Sequence, residues 1–368
     1  MQARPERLDR LPEQYFAGLL GRVAAAAALE GEPLVDLGRG NPELGPPAHV
    51  VEALAAAAGR PEAHGYAPFR GVAGLKEAVA ARYRDVYGVS LDPEREIAVL
   101  PGTKTGLIEF ATVTVGRGGT ILLPDPGYPD YYSAVALAGA RVEPFHGELE
   151  SAADADAIFL NYPSNPTAAA VSEGLFAEAA TWAERTRTWV LHDFAYGDLV
   201  FDGREPESFL AVEGAREVGI ELFSMSKSYG MAGWRLGFMV GNAELVSRVE
   251  LVQDHVFAGV FRPVQEAGIA ALTGPQSSVE ERRRRYEHRR DRALETLSKV
   301  DARGEGTFFV WFRLPDGVTA ESLLVEHRVA VAPGEGFGAR GAGWARLSLA
   351  VADETLELGL SRLATALS

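Results

Sequence analysis

The chain has 368 residues, of which 47% are hydrophobic and 24% charged, with a net charge of −15 and no cysteine. That composition supplies a sizeable core, suits two domains or one large domain with a smaller lobe, and makes disorder a poor description. It also excludes disulfides and thiolate metal sites, and it argues against a nucleic-acid surface, which needs a dominant basic stripe.

The N-terminal stretch carries Arg4, Glu6, Arg7, Asp9 and Arg10, and its Ala24–Ala28 run is short and soon followed by Glu30. That is neither a signal peptide nor a membrane span, and no other segment approaches spanning length, so the expectation is a soluble cytoplasmic protein without a membrane partner. Residues 1 to about 31 read as helical. Leu34-Val35-Asp36-Leu37 then forms a short strand running into the glycine turn Gly38-Arg39-Gly40-Asn41-Pro42, an arm of the kind that reaches into a binding site. A helix over Ala48–Ala58 follows, then a glycine-punctuated loop around Tyr66, then a helix with Leu75, Ala78, Val79 and Tyr83 recurring on one face as far as Gly88.

From Ile97 short apolar runs alternate with helical segments, the pattern of a parallel sheet with crossover helices. The runs are Ile97–Leu100, Thr120–Leu123, Arg141–Pro144, Ala157–Leu160, Thr188–His192, Ile220–Ser224 and Leu236–Val240, each read as a buried strand. Helices are expected over Thr103–Val115, Tyr131–Ala138 and Glu173–Arg185. A long helical stretch from Ala243 to Lys299 leads to a C-terminal lobe with strands Phe308–Phe312, Val329–Ala332 and Trp344–Leu349 and a last helix Leu356–Leu367. Within the long stretch, Arg282 to Arg285 with His288, Arg289 and Arg290 are interleaved with Glu281 and Glu287 and read as the solvated face of a helix.

In such sheets ligands collect at the carboxyl ends of the strands, so the residues after each run carry the functional signal. Gly102-Thr103-Lys104 opens a helix whose free N–H groups favour an anion, although an N-cap threonine explains the same letters. Tyr128, on the stiff turn Pro126-Gly127-Tyr128-Pro129, can stack on a flat ring or simply pack. Asn165, in Asn161-Tyr162-Pro163-Ser164-Asn165-Pro166-Thr167, can donate to a phenolic oxygen or serve an Asn-Pro turn. Asp193 ends a buried strand and needs a positive partner, which a protonated ring nitrogen or a structural cation supplies; His192 beside it reads as a packed neighbour. Ser224-Met225-Ser226-Lys227 places an amine among hydroxyl donors, and Arg235 follows with a planar fork for phosphate. A lysine beside a cation or in a poorly solvated pocket loses its proton readily and becomes a nucleophile.

Taken in order, these motifs, together with Pro333-Gly334-Glu335-Gly336-Phe337-Gly338 and Arg346-Leu347-Ser348, resemble the class I/II pyridoxal-phosphate-dependent aminotransferases across almost the whole chain. The resemblance implies an α/β protein of fold type I, with a large domain built on a mostly parallel seven-stranded sheet between helices and a smaller α+β domain. It divides the chain into an N-terminal arm and part of the small domain over 1–44, a large cofactor-binding domain over 45–270 and a C-terminal small domain over 271–368. It implies pyridoxal 5'-phosphate as cofactor, attached to Lys227, which later shuttles the substrate proton. Asp193 would hold the ring nitrogen protonated, Asn165 and Tyr196 would bond the ring oxygen, and Tyr128 would stack on the ring. Gly102, Thr103, the Lys104 backbone, Ser224, Ser226 and Arg235 would hold the phosphate, and Tyr66 would reach the phosphate of a neighbouring subunit in a homodimer with shared active sites. Arg346 would grip the substrate carboxylate beside Gly40 and Asn165, and Arg39 either reads a second anion or forms a salt bridge within the arm. No metal is implied.

The resemblance has departures. Ala168 stands where the family loop has glycine, Gly230 where relatives often have asparagine, and the segment between Pro144 and Ala157 is short. The expected activity is transfer of an amino group between an L-amino acid and a 2-oxo acid, with glutamate and 2-oxoglutarate as one pair. A carbon–sulfur β-lyase on the same scaffold is the runner-up, because fold and cofactor do not fix reaction type. A non-catalytic regulator is the third reading, and it lacks any DNA-binding domain to act through.

Overall fold

A computed structural model describes residues 6–152 and 154–367. The helix expected over residues 1 to about 31 begins outside the described residues; within them it is a short turn, Glu6–Asp9, and a longer helix, Tyr15–Ala27. The strands are β1 (Val35–Asp36), β2 (Ile97–Leu100), β3 (Thr120–Pro124), β4 (Arg141–Phe145), β5 (Ala157–Asn161), β6 (Trp189–Asp193), β7 (Gly219–Ser224), β8 (Gly237–Gly241), β9 (Ala302–Arg303), β10 (Phe309–Arg313), β11 (Val329–Ala330), β12 (Ala332–Pro333) and β13 (Trp344–Ser348).

Among the described residues a seven-stranded sheet has the order β2-β8-β7-β6-β5-β3-β4. Only β8 runs against its neighbours, so β2 to β7 all end on the same side. A four-stranded antiparallel sheet, β12-β13-β10-β9, belongs to the C-terminal lobe, and β1 from the arm pairs with β11 of that lobe. The arm is thus fixed to the lobe by backbone hydrogen bonds, which carries Gly38, Arg39 and Gly40 toward the large sheet.

Close packing fixes the helices on the large sheet. Helix Thr103–Thr114 presents Gly106 to the strands, where an added Cβ would lie 2.6 Å from Leu100 and 2.9 Å from Leu222. Helix Ala73–Tyr87 ends on Gly88 in the left-handed region, the expected C-terminal stop. Gly230 (φ 70) lies against the arm, and a Cβ there would stand 2.5 Å from the Leu44 carbonyl.

Four expectations need correction. β4 is an edge strand with Arg141, Glu143 and Pro144 exposed or nearly so, because it has one neighbour and turns polar side chains to water. The stretch from Ala243 to Lys299 is three helices, Ala243–Val256, Arg262–Thr273 and Ser277–Thr296, broken before Pro263 and at Gly274-Pro275. The single strand expected over Val329–Ala332 is two, because β11 pairs with β1 while β12 pairs with β13. The basic cluster is solvated only in part. Arg282, Arg289 and Arg290 are buried, on the Leu44 and Gly45 carbonyls, on Glu43 and Asp353, and on Asp202 respectively.

Ala168 is fully buried and adopts φ 56. The left-handed region costs an L-residue about 1–2 kcal/mol. Against that stand about 0.8 kcal/mol for a buried methyl and about 0.5–1 kcal/mol of chain entropy that glycine loses on folding. Ala168→Gly is therefore expected to change unfolding stability by less than about 1 kcal/mol, read by denaturant titration; a gain well beyond that shows the alanine to be strained.

Candidate active site

Because β2 to β7 end on one side, the loops that follow β2, β3, β5, β6 and β7 meet the arm and β13 around a cleft of about 520 Å³. It is lined by Arg39, Gly40, Thr103, Lys104, Tyr128, Asn165, Asp193, Tyr196, Ser224, Ser226, Lys227, Arg235 and Arg346. Gly102 stands just behind Arg235. Tyr66 is not in this cleft: its side chain is 89% exposed, in a separate hollow with His64 and Phe261.

Lys227 sits just past the end of β7, its Nζ donating to the Gly40 carbonyl at 3.2 Å, with the Tyr196 and Phe308 rings 5.5 and 5.1 Å away. Loss of water around the amine, then repulsion from Arg346 and Arg235, outweigh the attraction of Asp193 and bring its pKa down from 10.5 to about 8. Near neutrality a usable fraction of this lysine is a neutral nucleophile.

Asp193 is the last residue of β6 and is buried. Burial pushes its carboxyl pKa up, while the Tyr131 hydroxyl, donating at 2.8 Å, and the Ala195 N–H, donating at 3.2 Å, pull it back. Among the described residues no lysine or arginine forms an ion pair with it. A buried carboxylate in that condition calls for a cation from outside the chain.

Arg346 is the opposite case. It is 1% exposed on β13, donates from Nη1 to Asn165 Oδ1 at 2.6 Å and from Nη2 to the Gly38 carbonyl at 3.2 Å, and lies 3.9 Å over the Phe309 ring. Among the described residues its Nε has no hydrogen-bond partner and no carboxylate pairs with it. Burial lowers its pKa to about 10. A buried guanidinium without an anion is costly, and a ligand carboxylate relieves that cost through a two-pronged, charge-assisted pair.

The remaining groups form an anion cradle. Arg235 is exposed, held in the left-handed region (φ 55), and donates to the Ala232 carbonyl. Gly102 (φ 87) is required beside it, since a Cβ would fall 2.2 Å from Arg235 Nη2. Thr103 and Lys104 begin a helix, and as its first two residues their N–H groups lack intrahelical acceptors and favour an anion. The Lys104 ammonium is paired with Asp130 at 2.9 Å, so its backbone is the part available to a ligand. Ser224 Oγ accepts the Ser226 N–H at 3.2 Å and caps the short turn carrying Lys227.

The sequence matches the family described as aminotransferase class I and II over residues 32–363. The chain belongs to that family. It is 42% identical to the L-glutamine–4-(methylsulfanyl)-2-oxobutanoate aminotransferase of Bacillus subtilis strain 168, over 97% of this chain and 94% of that protein. It is 37% identical to the LL-diaminopimelate aminotransferase of Moorella thermoacetica, over 97% of this chain and 96% of that protein. Among solved structures, substrate-bound BacF from Bacillus subtilis is similar with a TM-score of 0.92 and 37% identity, covering 99% of this chain and 98% of that one. The aminotransferase therefore has the fold type I architecture, and its reaction moves an amino group between an amino acid and a 2-oxo acid, in a family that depends on pyridoxal 5'-phosphate. The residues present fit that group: the cradle at Gly102 and Arg235 suits its phosphate, the uncompensated Asp193 suits its ring nitrogen, and the weakened Lys227 suits its aldehyde.

Several site residues went unread in the sequence. Tyr131 supports Asp193, and its signal was available, since Asp193 needed a donor. Asn161 orients two elements at once: its Nδ2 donates to the Asp193 carbonyl at 2.8 Å and its Oδ1 accepts the Asn165 N–H at 2.7 Å. Phe16, Leu19 and Leu20 form one wall of the cleft and Phe309 lies beneath Arg346. His192 packs away from the cleft, bonded to Glu221 at 2.8 Å and to the Tyr162 carbonyl at 2.9 Å. Arg39 reaches Asp36 at 3.9 Å while remaining 58% exposed, so the salt bridge in the arm is present but loose. No helix among the described residues is long and apolar enough to cross a membrane.

Proposed function

We propose that this cleft holds pyridoxal 5'-phosphate and that glutamate and 2-oxoglutarate form one of the substrate pairs. One observation carries the reading: Lys227, Asp193, Arg235 and Arg346, four groups whose charges find no counter-ion pair among the described residues, converge on one cleft. When bound, the cofactor supplies an electron-accepting ring that makes the substrate α-hydrogen acidic. Lys227 would be the residue that attaches the group, and its neutral amine would be the base that takes the proton from the substrate α-carbon. Asp193, bonded by the Tyr131 hydroxyl, would hold a proton on the ring nitrogen. Asn165 and Tyr196 would bond the ring oxygen, and Tyr128 would cover the ring face. The Gly102–Lys104 backbone, Ser224, Ser226 and Arg235 bind the phosphate. Arg346 fixes the substrate carboxylate against Gly40 and Asn165, and Arg39, held only loosely by Asp36, is free to meet the distal carboxylate of glutamate.

Residues 45–270 act in this reading as the cofactor domain, with 1–44 and 271–368 bringing the substrate-facing residues to it. Two copies pair, and exposed Tyr66 completes the phosphate site of the neighbour. The test is to add amino acids to the purified holoenzyme without an acceptor: conversion of the cofactor to its amine form with one equivalent of 2-oxo acid supports transamination. Pyruvate and ammonia released catalytically would instead assign a β-lyase.

The amine at Lys227 gives a pH prediction. Only its neutral form attacks, and with a pKa of about 8 roughly one molecule in a hundred is neutral at pH 6. Covalent uptake of pyridoxal 5'-phosphate by cofactor-free protein is therefore expected to rise about tenfold per pH unit below 8 and to level off above it. A rate that is flat from pH 6 to 9 in stopped-flow absorbance contradicts the assignment of the free amine.

A further inference from the structure

Helix Tyr15–Ala27 turns Phe16, Leu19 and Leu20, spaced i, i+3, i+4, to the same cleft. The Phe16 ring lies 5.5 Å from the Arg346 guanidinium carbon and 6.1 Å from the Tyr128 ring. The strip therefore borders both the residue proposed to clamp the carboxylate and the one proposed to cover the cofactor ring. Leu19 is buried, whereas Leu20 is 39% exposed, a large apolar side chain left partly in water beside a cleft. Charge on the lining is one-sided. Asp193 is its only carboxylate among the described residues, and it lies buried at the end of β6. A side chain ending in an ammonium finds no other anion on this lining, while a long apolar side chain finds a wall whose water it displaces.

We propose that Phe16, Leu19 and Leu20 make this aminotransferase select amino acids with a large apolar side chain, aliphatic or thioether, in one of its half-reactions. The inference rests on the carboxylate placement at Arg346 proposed above. It separates this chain from relatives named for diaminopimelate, whose second ammonium this lining leaves without an anion.

The test uses the holoenzyme and reads single-turnover conversion of the cofactor to its amine form, so no acceptor is needed. Alanine, 2-aminobutyrate, norvaline and norleucine add one methylene at a time; methionine and ornithine complete the set. At about 0.8 kcal/mol per buried methylene, or roughly fourfold in rate constant over KM, norleucine is expected to exceed alanine by about 50-fold. Methionine should fall near norleucine. Ornithine, which matches norleucine in length but ends in an ammonium, should fall about 100-fold below it. Leu20→Asp, on the half-exposed position, should cut the norleucine-to-alanine ratio by about tenfold, and Leu20→Met should leave that ratio within about twofold. A flat series, ornithine or diaminopimelate equal to norleucine, or a ratio unmoved by both Leu20→Asp and Phe16→Asn overturns the proposal. If no amino acid converts the cofactor at all, transamination at this cleft fails and the side-chain proposal falls with it, an outcome distinct from a flat series.

Discussion

Lys227→Ala is expected to abolish covalent attachment of pyridoxal 5'-phosphate and to lower turnover at least about 10⁴-fold. Loss of a positioned general base alone costs about 10²–10⁴, and the same amine also holds the cofactor. The substitution leaves the anion cradle intact, since Gly102, Arg235 and the first turn of helix Thr103–Thr114 do not depend on Lys227. The protein should therefore still bind the phosphate reversibly while losing the visible absorption of a lysine-linked cofactor. Folding should survive, because the wild-type amine is already poorly solvated and shifted to about 8, so its removal relieves a desolvation cost. Lys227→Arg is the sharper control: it keeps a cation, yet a guanidinium stays protonated and neither attacks an aldehyde nor accepts a proton. Mass spectrometry after borohydride reduction reads the attachment, and a turnover assay reads the chemistry. Either variant retaining wild-type turnover sinks the role of Lys227.

Strand ends explain why so much of the site was legible. The apolar runs of β2, β3, β5, β6 and β7 stop where each strand leaves the core, and the sheet places a residue at or soon after each of those ends at the cleft, as with Asp193 after Leu191-His192 and Ser224 after Phe223. The motif and its position are then one local signal. Phe16, Leu19 and Leu20 carried no such signal, since an i, i+3, i+4 apolar face looks the same whether it meets a core or a cleft. Tyr131 was hidden for a similar reason among the aromatics of helix Asp130–Ala138. The basic cluster misled because composition reports charge but not partners. Arg282 and Arg289 meet the Leu44 carbonyl and Glu43, more than 230 residues earlier in the chain, and nothing near them in sequence shows that they are buried. The split between β11 and β12 likewise depends on two different pairing partners, β1 and β13, which local propensity does not encode.

Arg346→Ala should separate substrate recognition from cofactor binding. Truncating one member of a buried, hydrogen-bonded charge pair typically costs about 2–5 kcal/mol, so kcat/KM for amino acids is expected to fall by roughly 30- to 5,000-fold while covalent attachment at Lys227 persists. Arg346→Lys, with a point charge in place of the fork, should fall between the two. A further readout distinguishes removal of this cation from general damage. Among charged groups, Arg346 is the strongest influence holding the Lys227 pKa down, so its removal should move the pH dependence of cofactor uptake upward, away from about 8. A merely disordered site would slow uptake at every pH without moving the midpoint. The opposing effect is structural: the Asn165 Oδ1 and the Gly38 carbonyl lose a donor, and a cavity opens over Phe309. That weakens the lobe, yet none of these groups belongs to the phosphate cradle. A variant that lost the cofactor while keeping its affinity for amino acids would place Arg346 at the phosphate and return the carboxylate to Arg39 or Arg235.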